Sequence, residues 1–302
     1  MQKRAAMTDA LIVGAGPAGV SCALWLLRLG FAPVLFESAE QVGGLCLSNP
    51  YPEIWNATAP KATGLDVARN LAQSVADAGV PLHLSAQVTG LVKEKSGFSL
   101  QTAQGTTVQG RYLVLATGVR ARGLQDASGR AYREETPGIL IGPGSDVARQ
   151  DFNGKKVAVL GGGDNAFENA LYAQEHGASE VRVYARNIRA QRQFARKFPF
   201  SQIEHGQVSV DPATRTVNGR QFDLILVFYG WEPCVPPCSG FSLARDERGF
   251  LRTDMQTAQT SETGVYAIGE VAQRQHPCVV TALADGVAAA KAIQARIEAA
   301  SA

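Results

Sequence analysis

The sequence predicts an α/β fold of two similar domains, one inserted into the other, and three observations carry that reading. A glycine-rich turn between an apolar strand and a helix occurs twice, at 14–19 and again at 161–166. A second apolar strand follows each copy, so each is a strand–turn–helix–strand unit of the kind that winds a parallel sheet. Two further apolar strands, in "RYLVLATGVR" (111–120) and "GVYAIGEVA" (264–272), bracket the second copy along the chain.

In the first copy, "DALIVGAGPAGVSCALWLLRLG" gives a strand over Ala10–Val13, a turn and a helix. Gly14, Gly16 and Gly19 make a G-x-G-x-x-G pattern enclosing Pro17 and Ala18. The first glycine permits the tight turn, the second lets the backbone approach a pyrophosphate, and the third allows close helix–strand packing. The helix N-terminus offers free N–H groups and a partial positive charge to phosphates. The next strand, "APVLFE", ends at Glu37, where an acid can accept hydrogen bonds from a ribose diol. A glycine turn that only packs is the bland alternative. Strand, helix, second strand and terminal acid in register favour a Rossmann-like dinucleotide site.

The second copy, "KKVAVLGGGDNAFENALYAQEHGASEVRVYAR", gives strand Val157–Leu160, then Gly161-x-Gly163-Asp164-Asn165-Ala166, a helix, and strand Val181–Tyr184. No acid ends that last strand; Arg186 stands there, with Arg189, Arg192, Arg196 and Lys197 behind it. An arginine at this place suits a 2′-phosphate, hence NADPH, with NADH as the alternative. Residues 181–199 hold five arginines, one lysine and no acid, more than one phosphate needs. The competing reading is a solvated basic face.

The bracketing strands end at Ala116-Thr117-Gly118 and at Gly269-Glu270. With "GVRARG" (118–123) and "CSGFSLARDERG" (238–249) as crossing linkers, the first domain comprises 1–120 and 245–302 and the second 121–244. Net charge is +2 over 302 residues, so no bulk field points to nucleic acid or a membrane surface. No run approaches the ~18 apolar residues that span a bilayer. The basic start "MQKRAAMTDA" has no apolar core behind it, so Met7 is an alternative start and no signal peptide is expected. An odd count of five scattered cysteines argues for a reducing cytoplasm. His83, His176, His205 and His276 show no metal-ligand spacing, and no metal is expected.

Thiol chemistry needs separate weighing. Cys46 stands in "QVGGLCLSNPY" directly after Gly43 and Gly44. "CVPPC" pairs Cys234 with Cys238; two free thiols in a loop are favoured over a small ring, because catalytic pairs sit two apart at a helix start. Cys278 precedes the helix "TALADGVAAAKAIQARI", expected from about Thr281, whose partial positive charge could lower a thiol pKa. Cys22 reads as core.

"GAGPAG", Glu37, "VGG" (42–44), "LATG" (115–118), "GGGDNA" (161–166) and "YAIGE" (266–270) run through nearly the whole chain, and in that order and spacing they resemble the two-dinucleotide-binding flavoproteins, thioredoxin reductase and its relatives. The resemblance implies two Rossmann-like domains of the three-layer ββα type, FAD in the outer one and NAD(P)H in the inserted one. It implies that Gly14, Gly16, Pro17, Ala18, Gly19 and Glu37 hold the ADP half of FAD, with Gly43 and Gly44 beside the ribityl chain. Ala116, Thr117, Gly118, Gly269, Glu270, Val279 and Val280 would complete that site. Glu270 departs from the family's aspartate by one methylene. Gly161, Gly163, Asp164, Asn165, Ala166, Arg186, Arg189 and Arg192 would serve NAD(P)H.

Two departures set the chain apart. Thioredoxin reductases carry Cys-x-x-Cys shortly before the second fingerprint, where this chain reads "GSDV" (144–147). The glutathione reductase kind carries Gly-Gly-x-Cys-x-x-x-x-Cys, and here Tyr51 replaces the second cysteine after Cys46. Electrons would then leave the flavin directly, as in thioredoxin-reductase-like ferredoxin/flavodoxin–NADP reductases, whose "YPE"-like segment the chain shares at Tyr51–Glu53. The expected acceptor is an acidic carrier protein or a small molecule, attracted by the basic run that includes Arg182, and homodimerisation is the family habit. A disulfide reductase using other cysteines, or a catalytically silent flavin-binding protein, are the alternatives. Cys46, Tyr51, His276 and Cys278 are the candidate catalytic residues, with Tyr51 or Trp55 to shield the flavin in place of the C-terminal extension those reductases carry.

Overall fold

A computed structural model describes residues 7–125, 131–132 and 136–301, and the chain divides into two units, Met1–Arg120 with Glu232–Ala302, and Ala121–Trp231. The first six residues lie outside the described part, which begins at Met7, the alternative start.

In the first unit the apolar run after Thr8 forms β1 (Thr8–Val13). Its side chains alternate between two cores, Ala10 and Ile12 on one face and Leu11 and Val13 on the other, as a strand buried on both sides requires. β1 runs parallel to β2 (Pro33–Phe36) on one side and to β6 (Thr107–Leu115) on the other. β3 (Leu82–His83) extends the sheet past β2, and β20 (Val265–Ala267) pairs parallel with the end of β6. The first half of β6 pairs antiparallel with β5 (Gly97–Thr102), which pairs with β4 (Val88–Glu94). Helices α1 (Pro17–Arg28), α2 (Gly64–Ala78) and α6 (Val279–Ser301) cover the Ala10/Ile12 face. Leu91, Phe98 and Leu100 from β4 and β5 fill the other face, which gives the expected three layers.

The helices are fixed locally. Thr63 and Asp66 form a reciprocal capping box at the start of α2, and Gly79 ends it in the left-handed region. α6 lies close on α1: a Cβ at Gly286 would come within 2.5 Å of the Ala18 carbonyl oxygen, and the Ser21 hydroxyl donates to the Leu283 carbonyl at 2.7 Å.

The chain crosses out along β7 (Val119–Ala121) and back along β18 (Trp231–Pro233), which pair with each other. The return falls at Glu232 rather than at 245. The reason is long-range: β19 (Cys238–Ser239) adds a parallel strand to β4, and Val235, Phe241 and Leu243 pack on the first unit's core.

The second unit is an all-parallel sheet in the order β10 (Ile139–Ile141), β17 (Leu224–Val227), β11 (Lys156–Leu160), β12 (Glu180–Ala185), β13 (Ile203–His205). A hairpin of β8 (Leu124–Gln125) and β9 (Ala131–Tyr132) precedes it. α4 (Asp164–Glu175) covers the Val157/Val159 face, and α3 (Ser145–Ala148) and α5 (Arg192–Ala195) are single turns. The small antiparallel sheet of β14 (Val210–Asp211), β15 (Thr216–Val217) and β16 (Arg220–Gln221) brings Val217 onto the opposite face, against Ala158 and Leu160. In both units the strand order reverses at the strand that precedes the glycines, β1 between β2 and β6, and β11 between β12 and β17. That switch point is where α/β sheets open a crevice for a ligand at their carboxyl edge.

Candidate active site

In the first unit the ends of four strands meet at that crevice. Gly14 N–H donates to Phe36 O at 2.7 Å, Ala116 N–H to Val13 O at 2.8 Å, and Ile268 N–H to Leu115 O at 3.0 Å. The three fingerprint glycines have different causes. Gly14 has φ +105°, and a Cβ there would lie 2.3 Å from Ala116 O. A Cβ at Gly19 would lie 1.9 Å from Gly14 O. Around Gly16 nothing comes nearer than Gly44 Cα at 3.8 Å. The protein's own packing demands two of the glycines and leaves the third open, at the position where a pyrophosphate needs backbone approach. Pro17 opens α1, whose N-terminus has no side-chain cap, so its free N–H groups are left for a ligand. Gly43 and Gly44 lie against this turn: Gly43 N–H donates to Ala15 O at 2.9 Å, and both have positive φ.

Glu37 is buried and already committed in part. One carboxylate oxygen accepts Ala15 N–H at 2.7 Å; the other accepts Ala39 N–H at 2.9 Å and the Ser38 hydroxyl at 3.1 Å. A carboxylate has about four acceptor sites, so about one remains for a ribose hydroxyl. Thr117 follows β6 with its buried Oγ1 unpartnered among the described residues, a polar atom in want of a ligand. Gly118 and Gly269 both adopt left-handed φ. Burial pushes the Glu270 carboxyl above the usual carboxylate range. α6 begins at Val279, slightly before the expected Thr281, with Val280 47% exposed at its start. These features fit the ADP and ribityl portions of FAD.

The candidate catalytic residues gather in the same unit. Cys46 sits on a 3-10 turn, Gly44–Ser48, and is 6% exposed. Burial, reinforced by the Glu53 and Glu270 carboxylates, pushes its thiol up to about 12, which favours the neutral form at physiological pH. Tyr51 is half-buried directly before a loop whose ends are tied by a Pro52–Thr63 bridge and by Glu53 N–H donating to Ala62 O at 2.7 Å. Trp55, within that loop, is 72% exposed. His276 is exposed; its carbonyl accepts the Thr281 hydroxyl at 2.7 Å. Cys278 and Glu270 line one small recess, and the Cys278 thiol lies 3.4 Å from the Thr281 hydroxyl. Cys234 and Cys238 are not joined in a disulfide, and burial pushes the Cys238 thiol up. Arg274 and Asp285 also line the recess, and nothing local in the sequence marks them.

The second unit repeats the glycine logic. A Cβ at Gly161 would meet Phe228 O at 2.3 Å and one at Gly162 would meet Asn187 O at 2.0 Å, whereas around Gly163 there is nothing within 4 Å. Ala166 is fully buried against the sheet, and no side chain caps α4. The arginine loop folds onto this turn: Arg189 N–H and Ala190 N–H donate to Gly162 O at 2.7 and 2.9 Å, and Asp164 accepts from Gln191 N–H and Nε2 at 2.7 and 2.8 Å. Asp164 is thus occupied with the loop, while Asn165 starts the helix beside it. Arg186, Arg189 and Arg192 are exposed around the turn, which fits a phosphorylated nucleotide. Arg182 does not join them, since it pairs with Glu180 at 2.8 Å and Glu204 at 3.2 Å.

Two switch-point crevices, each with one glycine left open and an uncapped helix behind it, define a protein with two dinucleotide-binding units. The fold is that of thioredoxin reductase: the structure matches thioredoxin reductase from Lactococcus lactis with TM-score 0.74, 23% identity, 95% of this chain and 98% of that one. With T. acidophilum thioredoxin reductase the values are 0.75, 23%, 96% and 98%. The profile of the family described as "Pyridine nucleotide-disulphide oxidoreductase" matches residues 8–199. A protein named ferredoxin–NADP reductase from Granulibacter bethesdensis is 30% identical, over 90% of this chain and 83% of its own length. One of the same name from Acidovorax sp. is 29% identical, over 87% and 81%. The chain belongs to the pyridine nucleotide-disulphide oxidoreductase family. It is an NAD(P)H-dependent flavoprotein oxidoreductase, and membership implies FAD and NAD(P)H as its cofactors.

Proposed function

We propose that this enzyme oxidises NADPH and passes electrons from its FAD directly to an acidic carrier of the ferredoxin or flavodoxin kind, or to a small-molecule acceptor. The observation that carries the reading is the state of the thiols. At the place of the thioredoxin reductase dithiol the chain reads Gly144-Ser145-Asp146-Val147, running into α3, and none of the five cysteines is joined in a disulfide. Cys46, which has Tyr51 in place of a partner, is held neutral. Bound FAD would supply acceptance of a hydride from the nicotinamide and release of the electrons to the carrier.

The chain's own groups do the rest. Gly16 and the first turn of α1 would bind the pyrophosphate, and Glu37 would use its remaining acceptor site on the ribose. Glu270 would accept from a ribityl hydroxyl, and the start of α6 would stabilise negative charge on the cofactor. Tyr51 would shield the ring, since Trp55 is turned to solvent. Arg186, Arg189 and Arg192 would take the 2′-phosphate by charge-assisted bonds, which favours NADPH over NADH. Arg196 and Lys197 extend the exposed basic surface and would steer an acidic carrier. The ferredoxin–NADP reductase relatives support that choice of partner. Five cysteines without a disulfide among them suit a reducing cytoplasm. Among the described residues no helix is long and apolar enough to cross a membrane. A homodimer completes the reading.

Anaerobic mixing of the FAD-loaded protein with NADPH, and separately with NADH, tests it. Flavin absorption should bleach much faster with NADPH, and the reduced protein should then reduce ferredoxin or flavodoxin. Replacement of Cys46, Cys234, Cys238 and Cys278 by serine should leave turnover unchanged. No bleaching with either nucleotide would end the enzyme reading, and loss of turnover in the serine variant would restore the disulfide alternative.

A further inference from the structure

Two buried charges lie beside the Gly269–Glu270 turn, and neither has a role in the proposed reaction. Asp285, in the second turn of α6, is 5% exposed. The side chain of Arg274, in the segment between β20 and α6, is 4% exposed. Its Nη1 donates to Asp285 Oδ1 at 2.5 Å, and the other carboxylate oxygen accepts the Gly269 N–H at 3.0 Å. Nη2 donates to the Met255 carbonyl and, at 3.4 Å, to the Asp254 carbonyl. Nε is buried without a partner among the described residues.

Such a pair is poorly explained by stability alone. Desolvating two charges costs about as much as their attraction returns, and apolar residues of similar volume commonly serve a fold as well or better. What the pair does have is position. Gly269 leaves β20 with φ +69°, and a Cβ there would lie 3.0 Å from the Ala18 Cβ, in the first turn of α1. Ser21 and Gly286 fasten α6 to α1 on either side of Asp285 in sequence and space. One carboxylate therefore joins the end of β20, the 273–278 segment and the beginning of α6, and it does so next to the helix whose N-terminus faces the glycine turn.

We propose that Arg274 and Asp285 are positioning residues for FAD: the Arg274 guanidinium holds the Asp285 carboxylate, which fixes the Gly269–Glu270 turn and the start of α6 in the geometry the cofactor requires. The proposal rests on the FAD reading of the first unit. Neither residue needs to touch the cofactor; both act through the Gly269 N–H and through the segment that Arg274 ties to the 254–255 carbonyls.

The test uses full-length apoprotein titrated with FAD, reading the Kd from flavin fluorescence, the flavin midpoint potential, and the unfolding temperature with and without FAD. Arg274→Met and Asp285→Asn each leave a charge buried alone and are expected to destabilise. The double variant Arg274→Met/Asp285→Leu removes both charges and keeps the fold testable. The expected result is a double variant that still folds and unfolds cooperatively, its unfolding temperature lowered only by loss of the Gly269 N–H bond, yet binds FAD at least about tenfold more weakly and shows a shifted potential. Arg274→Lys should recover part of the affinity, because an ammonium can pair with Asp285 without also reaching two carbonyls. A folded double variant with wild-type Kd and wild-type potential would overturn this proposal alone. Wild-type apoprotein that takes up no FAD would overturn the flavin reading and this proposal with it.

Discussion

The glycine turn after β1 and the one after β11 are built alike, glycine by glycine. Gly14 and Gly161 each pass beneath a carbonyl oxygen at the end of a neighbouring strand, of Ala116 and of Phe228, and a Cβ at either would come within 2.3 Å of it. Gly16 and Gly163 are each left open. The two units part at the end of the next strand. Glu37 is buried and bonded back to its own turn through Ala15, so it is at once structural and available to a ligand. Arg186 is exposed, and backbone bonds from Arg189 and Ala190 to Gly162 hold its loop instead. The same scaffold thus couples the strand-end residue, proposed here to recognise the ligand, to the fold in one unit and separates the two in the other.

Breaking the shared part should give the largest effects and should distinguish packing glycines from ligand glycines. Gly19→Val would drive a side chain into the Gly14 carbonyl and should cost about 3 kcal/mol or more, read as loss of soluble, cooperatively unfolding protein. Gly16→Val should leave the apoprotein's unfolding temperature nearly unchanged and abolish FAD retention on purification. Gly163→Val should keep FAD and lose NADPH-dependent bleaching. If Gly16→Val misfolds while Gly19→Val does not, the division between the glycines is wrong.

The divergent part should separate the units again, with smaller effects. Glu37→Gln puts an amide where two backbone N–H groups donate. It should cost about 1–3 kcal/mol of stability and weaken FAD binding about tenfold. Arg186→Ala should change stability by less than about 0.5 kcal/mol. It should raise KM for NADPH about tenfold or more and leave KM for NADH and kcat unchanged. Steady-state kinetics with both nucleotides beside thermal unfolding of both variants would show whether coupling to the fold differs as described.

Legibility in the sequence followed the same division between local and long-range causes. Both strand–turn–helix–strand units could be read because their signals lie within a few residues: alternating or continuous apolar runs, glycines at fixed spacing, a residue of one charge at the strand end. The return crossing at Glu232 could not, since β19 is two residues long and exists through its register against Leu91 and Val92. Arg182 looked like part of the free basic run until the β12–β13 register brought Glu204 beside it. Arg274 and Asp285 meet because the chain turns through left-handed φ at Gly269 and Gln273 before α6, which no periodicity announces.

The smallest expected effect concerns Cys46, which links the family's disulfide chemistry to this chain. Burial pushes Cys22 and Cys46 from 9.0 up to about 12. At pH 8 their thiolate fraction is then about a thousandfold below that of an ordinary thiol. Iodoacetamide should accordingly modify Cys278 or Cys234 well before Cys46, as peptide mass mapping over time would show. The sign for stability follows from proton linkage: the unfolded chain releases these protons near 9.0 and the folded chain holds them to about 12, so their contribution is full below pH 9 and is lost as pH rises towards 12. Cys46→Ser should flatten part of that alkaline loss and leave NADPH oxidation unchanged at neutral pH. Rapid alkylation of Cys46 at pH 8, with turnover falling in step, would instead make it a working thiol and bring this chain back among the enzymes that pass electrons through sulfur.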